Sequence, residues 1–249
     1  MKNLKKLLSL LLLVPSLTLV SCDNENPSSP VSTEPTPGPE PTPDPEPTPD
    51  PEPTPDPDDP VDPVDPQYAI SQVTTAGETY TVRGYVVAKN TNAILISDGI
   101  GSLYLYDRDL TGSYEIDDYV EATGSVTSFN KALQMAWNAS TPVSVTKLED
   151  APNLLIPEPT ALTAEITATW PTAEAFAPTD LKEYTWTATA GKLGNYDTLN
   201  LDADSVNIEP VYTPSEYQIT TGTTYSVTAY FIGYYSNYAS IVLTDLVAQ

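Results

Sequence analysis

The stretch that decides the fold class of this chain is residues 80–107, YTVRGYVVAKNTNAILISDGIGSLYLYD. In its first third, Val82, Gly84 and Val86 recur with a period of two, which is typical of a strand, and the glycine predicts a bend. The dipeptide Asp98-Gly99 separates two short apolar runs and predicts a hairpin. The stretch therefore predicts three consecutive β-strands.

The residues that follow predict two further strands. Asp117-Asp118 precedes an alternating run that begins at Val120, and SFNKA around Asn130 marks a second hairpin. TPVSVTKL supplies a fifth strand that ends at Leu148. Because the connection between the third and fourth strands is the long one, the five short strands favour a small Greek-key barrel.

The same strand pattern occurs twice in residues 67–249. Three blocks align at an offset of 103 to 105 residues: YTVRGYVVAKN with YTWTATAGKL, AILISDGIGSLYLYD with DTLNLDADSVNIEPVY, and YEIDDYVEATGSVTSFNKALQMAW with YQITTGTTYSVTAYFIGYYSNYASIVL. An offset that stays nearly constant over three blocks indicates the repeat of a whole domain. We therefore predict an all-β chain with two small domains, at residues 67–150 and 151–249.

These segments resemble the OB-fold-type domains of Bacteroidetes secreted and surface lipoproteins. The resemblance rests on the glycine-bent first strand, the Asp-Gly hairpin and the acidic residue before the fourth strand, and it covers residues 68–148 and, less closely, 158–249. It implies two OB-like Greek-key barrels. The second copy has DADSVN instead of the Asp-Gly turn and a longer lead-in with Trp170 and Pro178, so an immunoglobulin-like topology is the alternative there.

The N-terminus predicts export and lipid attachment. Three lysines precede an apolar run over Leu7–Val20, which is the pattern of a signal peptide spanning residues 1–21. LVSC, ending at Cys22, resembles the bacterial lipobox, which implies cleavage before Cys22 and acylation of its sulfur with chains such as palmitate. An uncleaved membrane helix is the alternative. Acidic residues soon after Cys22 resemble the signal that sends such lipoproteins to the cell surface, so we expect an outer-membrane location facing outward.

Residues 22–66 predict an extended stalk. Three copies of EPTPDP occupy Glu40–Pro57, and the proline frequency excludes helices and sheet ladders. The linker carries 13 acidic residues and no Lys or Arg, so charge repulsion extends it. At about 3.1 Å per residue in polyproline II, a disordered linker of this length reaches on the order of 130 Å.

Aromatic residues supply the candidate ligand contacts. The segment YFIGYYSNY, residues 230–238, contains five aromatic rings. Strand alternation places Phe231 on the same face as Tyr225 and Val227, and this mostly apolar face is predicted to lie in the core. Packing in the core and stacking on a ligand both remain open for each single ring. The candidate stacking residues are Tyr104, Tyr106, Trp137, Tyr234, Tyr235 and Tyr238.

Composition excludes most catalytic chemistry. The chain has no histidine and a single cysteine, so the usual general base and a thiol nucleophile in the domains are both missing. Asn200, Asp202 and Asp204 have the opening spacing of a calcium loop but lack its glycine and its final glutamate. We expect no enzyme activity, no metal and no cofactor.

Charge and short motifs give the expected partners. Residues 67–249 carry 21 acidic and seven basic residues, whereas nucleic-acid binding needs a basic groove. Thr198 and Ser205 lie in Asp-Ser/Thr-aliphatic triplets that resemble Bacteroidetes O-glycosylation sites. We therefore expect a noncatalytic, membrane-anchored protein that presents two binding modules for a glycan or a surface protein. Binding of single-stranded nucleic acid beside an exported nuclease is the alternative, and a purely structural role is the third possibility.

Overall fold

Each predicted domain is a Greek-key β-barrel in the computed structural model of the chain, which describes residues 65–136, 142–202 and 205–249. The predicted signal peptide, Cys22, the proline-rich repeats and Trp137 lie outside these residues. The described residues form two six-stranded sheets, so the all-β prediction is confirmed. No helix in this part of the chain is long and apolar enough to cross a bilayer.

The first domain contains strands β1–β6 and the second contains β7–β12 with the short helix α1. The elements are β1 Thr79–Lys89, β2 Ala93–Ser97, β3 Ser102–Tyr106, β4 Tyr119–Phe129, β5 Ala132–Ala136, β6 Ser144–Lys147, β7 Thr160–Ala161, α1 Ala164–Thr169, β8 Glu183–Leu193, β9 Tyr196–Asn200, β10 Asn207–Pro210, β11 Thr224–Tyr235 and β12 Tyr238–Ala248. Single 3-10 turns lie at Pro66–Tyr68, Ile70–Gln72, Arg108–Leu110 and Pro178–Asp180.

The first barrel closes around one long, bent strand. The first half of β1 pairs antiparallel with β4 and its second half pairs with β2. The circuit then runs antiparallel to β3, parallel to β5 and antiparallel back to β4, with β6 added beyond β4. A β-carbon at Gly84 would lie 2.6 Å from the carbonyl oxygen of Ser97, so glycine permits the close approach at the bend. This is the predicted OB-like barrel, with six strands rather than five, because the residues after the Asn130 hairpin form β5 and the predicted fifth strand forms β6.

The second barrel repeats this order with one gap. β8 pairs with β11 through Glu183–Thr189 and with β9 through Thr189–Leu193, while β10 lies parallel to β12. Between β9 and β10 the described residues are joined by a side chain. The Asn200 amide donates to Asn207 Oδ1 at 3.2 Å and accepts from the N–H of Ile208 at 2.9 Å. Since the strand order is that of the first barrel, the second domain is OB-like rather than immunoglobulin-like.

Each barrel has its own apolar core, and the segment before its first strand contributes to that core. In the first domain Ile70 and Val73 are fully buried. In the second domain Trp170 stacks on Phe231 with ring centroids 4.4 Å apart, and Phe176 meets the same ring edge-on at 4.9 Å. The longer lead-in of the second copy therefore supplies aromatic rings to its core.

The predicted Asp98-Gly99 hairpin is confirmed and carries a buried carboxylate. Asp98 is 2% exposed. Its Oδ1 accepts hydrogen bonds from the N–H groups of Ile100 at 3.0 Å and Gly101 at 2.8 Å, and its Oδ2 accepts one from the N–H of Ile70 at 2.7 Å. One side chain thus stabilises the turn and ties the lead-in segment to the barrel.

A third apolar cluster joins the two domains. Leu95 and Tyr104 on β2 and β3 pack in it with Tyr230 and Ile232 on β11 and with Val242 on β12. Each of these side chains is at most 9% exposed. The predicted inner face of β11 lies in the barrel core, as expected, whereas its other face is buried by the first domain.

The β4–β5 hairpin of the first domain meets an irregularity in β11. Asn130 and Lys131 have φ values of 51° and 62°, as the favoured two-residue hairpin turn requires, so the predicted hairpin is confirmed. The N–H of Tyr234 donates to the carbonyl of Asn130 at 2.7 Å. The register of β11 shifts between Phe231 and Gly233, where φ is 143° and a β-carbon would lie 2.6 Å from the Asn130 oxygen. The two backbones touch where glycine alone fits.

This contact predicts a large cost for Gly233→Ala, with Gly222→Ala as the matched control. Gly222 also has a positive φ, of 85°, but has open space around it. Gly222→Ala should lower the free energy of unfolding by about 1–2 kcal/mol through backbone strain alone. Gly233→Ala should lower it by about 2–4 kcal/mol because the added methyl group also separates the domains. Urea unfolding of the full chain measures both, and equal costs would contradict the close contact.

Candidate functional site

A cavity of 610 Å³ lies where the two domains meet. Six aromatic rings line it: Tyr104, Tyr106, Phe129, Tyr196, Tyr212 and Tyr238. Three of them are well exposed, at 57% for Phe129, 63% for Tyr196 and 45% for Tyr212. Exposed aromatic surface gathered at one concave site is a mark of a binding site rather than of ordinary packing.

The loops that bind ligands in many OB barrels hold the second domain here. In such barrels the ligand contacts the face of the second and third strands and the loops after the first and fourth strands. In this chain β11 covers that face, and Thr91 in the β1–β2 loop donates to the carbonyl of Tyr212 from its N–H at 3.0 Å and its hydroxyl at 3.1 Å. The cavity is open beside this contact, next to β3 and β5.

Asn90 connects the β1–β2 loop, the cavity wall and the second domain. It is 3% exposed, and its amide nitrogen donates to the Tyr104 hydroxyl at 2.9 Å and to the carbonyl of Val211 at 3.2 Å. Its amide oxygen accepts from the N–H of Asn92 at 2.9 Å. Both ends of the buried amide are therefore satisfied, and the ring of Tyr104 is held at the base of the aromatic wall.

Three of the tyrosines form a continuous row along this wall. The ring centroids of Tyr104 and Tyr106 are 6.4 Å apart, and those of Tyr106 and Tyr212 are 5.8 Å apart. The neighbouring Tyr106 hydroxyl, followed by burial, raises the pKa of Tyr212, and burial raises the pKa of Tyr104. Because these pKa values are raised, Tyr104 and Tyr212 stay neutral near pH 7. Tyr212 also has a φ of 51°, a strained conformation that persists at binding sites more often than elsewhere.

Two buried polar side chains line the same cavity. Gln134 on β5 is 9% exposed and Glu209 on β10 is 8% exposed. Burial raises the pKa of Glu209. The structure places no hydrogen-bond or ion-pair partner from residues 65–136, 142–202 or 205–249 on either side chain. Buried polar groups in proteins are normally paired, so both are available to a ligand.

The structure brings together only some of the predicted stacking residues. Tyr104, Tyr106 and Tyr238 line the cavity. Tyr234 is 5% exposed and belongs to the core of the second domain, because the strand irregularity at Gly233 turns it inward. Tyr235 is 56% exposed at the tip of the β11–β12 hairpin, outside the cavity. Trp137 lies outside the described residues.

Sequence reasoning missed three rings of the site. Phe129, Tyr196 and Tyr212 each lie at the end of a strand or just beyond it, next to a turn. The available signal was positional, since Phe129 and Tyr196 each adjoin an asparagine, a residue common in turns, and Tyr212 lies between Pro210 and Pro214. Which turns would meet in space depended on the docking of the domains.

The two candidate glycosylation residues differ in access. Thr198 lies in β9 and is 2% exposed, so its hydroxyl is closed to a glycosyltransferase in the folded domain. Ser205 is half-buried, and its hydroxyl donates to the carbonyl of Asp202 at 3.0 Å. The predicted modification of Ser205 stays a prediction.

The basic residues of the domains are largely engaged by other groups. Five of the seven have such a contact. Four form ion pairs: Arg83 with Glu121 at 2.7 Å, Lys192 with Asp197 at 2.6 Å, Lys89 with Glu115, and Lys147 with Asp118. The fifth, Lys131, donates to the backbone carbonyls of Pro171 and Ala173. Only Arg108 and Lys182 are left without such a contact in the described structure. No basic stripe for a phosphate backbone forms on these residues.

No arrangement of metal ligands accompanies the cavity. Within the described ranges, no group of three or more His, Cys, Asp or Glu side chains lies close enough to hold a metal ion. Of the partial calcium-loop pattern, Asp204 lies outside the described residues. The cavity is therefore an aromatic site whose described lining includes one carboxylate, Glu209, and two amides, Asn130 and Gln134.

The role of Asn90 predicts a loss of stability for Asn90→Ala, with Asn237→Ala as the matched control. The Asn90 substitution leaves the Tyr104 hydroxyl and the Val211 carbonyl without their partner, which should lower the free energy of unfolding by about 1–3 kcal/mol. Asn237 is exposed in a hairpin, and its loss should change the same quantity by less than about 0.5 kcal/mol. Urea unfolding compares the two, and equal effects would contradict the role of Asn90.

Comparison with known proteins finds distant structural likeness only. No protein-family model matches the sequence, and no curated protein is significantly similar to it. Among solved structures, the chain is similar to a murine DNA-binding protein bound to double-stranded DNA, with a TM-score of 0.38 and 6% identity over 68% of this chain and 96% of that one. It is also similar to the p204 HINb domain, with a TM-score of 0.35 and 8% identity over 67% of this chain and 95% of that one. A third similar structure is p202 HIN1 in complex with a 12-mer double-stranded DNA, with a TM-score of 0.32 and 10% identity over 72% of this chain and 99% of that one. At these values the likeness assigns neither a fold nor a ligand to this chain, whose fold rests on its own strand order.

Proposed function

We propose that this protein is a noncatalytic binding protein that takes a glycan into the cavity between its two barrels. A lipid on Cys22 would hold it at the outer membrane with the barrels facing outward on the proline-rich stalk. The carrying observation is the lining of the cavity, which combines six aromatic rings with two buried polar side chains that have no described partner.

The chemistry of a sugar matches this lining. One side of a pyranose ring presents C–H groups that pack on an aromatic face, and its hydroxyls donate and accept hydrogen bonds. Tyr106, Tyr196 and Tyr212 supply rings, and the Gln134 amide offers both donors and acceptors. The volume of 610 Å³ falls within the range of about 300–1,000 Å³ that is common for small-ligand sites. A site for one to a few sugar units is therefore supported.

Charge argues against nucleic acid, the second candidate. OB barrels bind oligonucleotides as well as oligosaccharides, so the architecture admits both. The described residues that line the cavity include no Lys or Arg and include one carboxylate, Glu209. Neutralisation of phosphates by Lys and Arg supplies most of the nonspecific affinity for nucleic acid, and the described lining of this cavity offers no such side chain, although Arg108 lies near Tyr212.

The membrane anchor rests on the sequence. The several acyl chains that a lipobox cysteine acquires would each add about 0.8 kcal/mol of membrane affinity per buried methylene. The stalk then separates the barrels from the bilayer by up to on the order of 130 Å. Such a separation suits capture of a ligand outside the cell.

Removing a ring from the cavity should weaken glycan binding. Tyr196→Ala and Tyr212→Ala should each raise the dissociation constant about three- to ten-fold, because each removes a stacking contact. Tyr68→Ala, which removes a half-buried ring of the first domain outside the cavity, is the control and should leave the dissociation constant unchanged. A glycan array identifies the ligand and calorimetry measures the constants. A loss of binding in Tyr68→Ala alone would contradict this placement of the site, and a loss in Tyr235→Ala alone, whose ring meets Tyr238 edge-on, would move the site to the hairpin tip.

The same measurement separates glycan from nucleic acid. Affinity for a neutral glycan should change less than about two-fold between low and high salt, whereas affinity for an oligonucleotide falls steeply as counterions compete. Tight, strongly salt-dependent binding on an oligonucleotide array, with no glycan bound, would overturn the proposal in favour of nucleic acid.

Replacing Cys22 should release the protein from the membrane. Cys22→Ser removes the thiol that would be acylated, so the protein should leave the membrane fraction and take up no labelled palmitate. Ser21→Ala keeps a small residue before the cysteine and serves as the control that should remain lipidated. Fractionation of cells that express each form checks this, and a Cys22→Ser protein that stays membrane-bound would contradict the anchor.

A further inference from the structure

We propose that Glu209 is the counter-ion for a protonated amine, so that the cavity selects a glycan that carries a free amino group, such as a deacetylated hexosamine. This inference rests on the proposed glycan-binding function and specifies the class of sugar that the site takes.

The position of Glu209 places its carboxylate in the cavity. β10 pairs in parallel with β12, with Glu209 opposite Ser240. Its neighbour Ile208 is fully buried in the core of the second domain, so strand alternation directs Glu209 to the opposite side, where it lines the cavity. The residue as a whole is 8% exposed.

The protein leaves this carboxylate without a partner in the part of the chain that the structure describes. The hydroxyl of Ser240, its register neighbour, accepts a hydrogen bond from the Asn130 amide at 3.0 Å and makes no described bond to Glu209. The four ion pairs of the described residues all involve other acids. Solvent in the cavity reaches its oxygens, since Asp197 Oδ1 is the only fully buried side-chain N or O atom of the described residues that lacks a hydrogen-bond partner. A bound cation would replace this solvent and pair with the charge.

The surroundings favour a cation over a second neutral group. Tyrosine faces carry the negative side of the ring quadrupole and attract a cation placed over them, and Tyr238 and Tyr212 line the same cavity as Glu209. The net charge of −24 also steers cationic ligands towards the protein. An ammonium group is the cation that a sugar most simply carries.

The second unpartnered side chain favours an amino sugar over a lysine side chain. A lysine would satisfy Glu209 through its ammonium group, but its apolar stem offers nothing to Gln134, which could pair only with the peptide backbone. A hexosamine brings hydroxyl groups for Gln134 and an amine for Glu209. The pair of polar groups therefore matches one small polyhydroxylated amine.

The test compares two trisaccharides that differ only in acetylation. The full chain in detergent is titrated by calorimetry with a glucosamine trimer and with an N-acetylglucosamine trimer, at about pH 6, where the amine is protonated. A charged hydrogen bond in a buried site should favour the glucosamine trimer by about ten-fold or more. Glu209→Gln keeps the shape of the side chain and should bring the ratio of the two dissociation constants close to one.

Glu216→Gln is the matched control. Glu216 is exposed and lies outside the cavity, so this change alters the net charge equally but should keep the ratio. Equal affinity of the wild-type protein for the two trimers would overturn the assignment while leaving glycan binding intact, and a preference that survives Glu209→Gln would also overturn it. Binding of neither trimer, nor of any other glycan, would overturn the proposed function itself. Tighter binding of a trilysine peptide than of the glucosamine trimer would assign the cavity to peptides instead.

Discussion

The burial of the outer face of β11 against β2 and β3 of the first domain is the contact on which the rest of the structure depends. Tyr230 and Ile232 would be exposed on an isolated second barrel, and Leu95 and Tyr104 on an isolated first barrel. Removing each such side chain from water contributes about 1.5–3 kcal/mol. The two barrels therefore pack as one unit, and the cavity exists only because they do.

Apolar burial alone would not orient the domains, since the hydrophobic effect has no direction. Orientation comes from polar contacts around the cluster. Asn90 and Thr91 bond to the segment at Val211 and Tyr212, and the carbonyl of Asn130 receives the N–H of Tyr234. These bonds belong to the loops that other OB barrels use for ligands. The duplicated chain thus uses the binding face of its first barrel to build a different site beside it.

The electrostatic character of that site follows from the positions of the few basic side chains, most of which are paired elsewhere. Arg83, Lys89, Lys147 and Lys192 pair with acids on the strands and turns, and Lys131 is held by backbone carbonyls of the second domain. The described lining of the cavity is left with aromatic rings, two amides and one carboxylate. A ligand that offers hydroxyl groups and positive charge complements such a lining, whereas a polyanion does not.

The sequence alone determined the strand period, the turns at Asp98-Gly99 and Asn130-Lys131, the duplication and the OB-like class, because these depend on residues close together in the chain. It also identified Tyr104, Tyr106 and Tyr238 as candidate stacking residues, and these line the cavity. Of the other candidates, Tyr234 lies in the core and Tyr235 on the surface outside the cavity. Only the tertiary structure decided that Phe129, Tyr196, Tyr212, Gln134 and Glu209 share one cavity. Some residues of that cavity are more than a hundred positions apart in the chain. They are brought together by the packing of one barrel's outer face against the other's, which no local sequence pattern encodes.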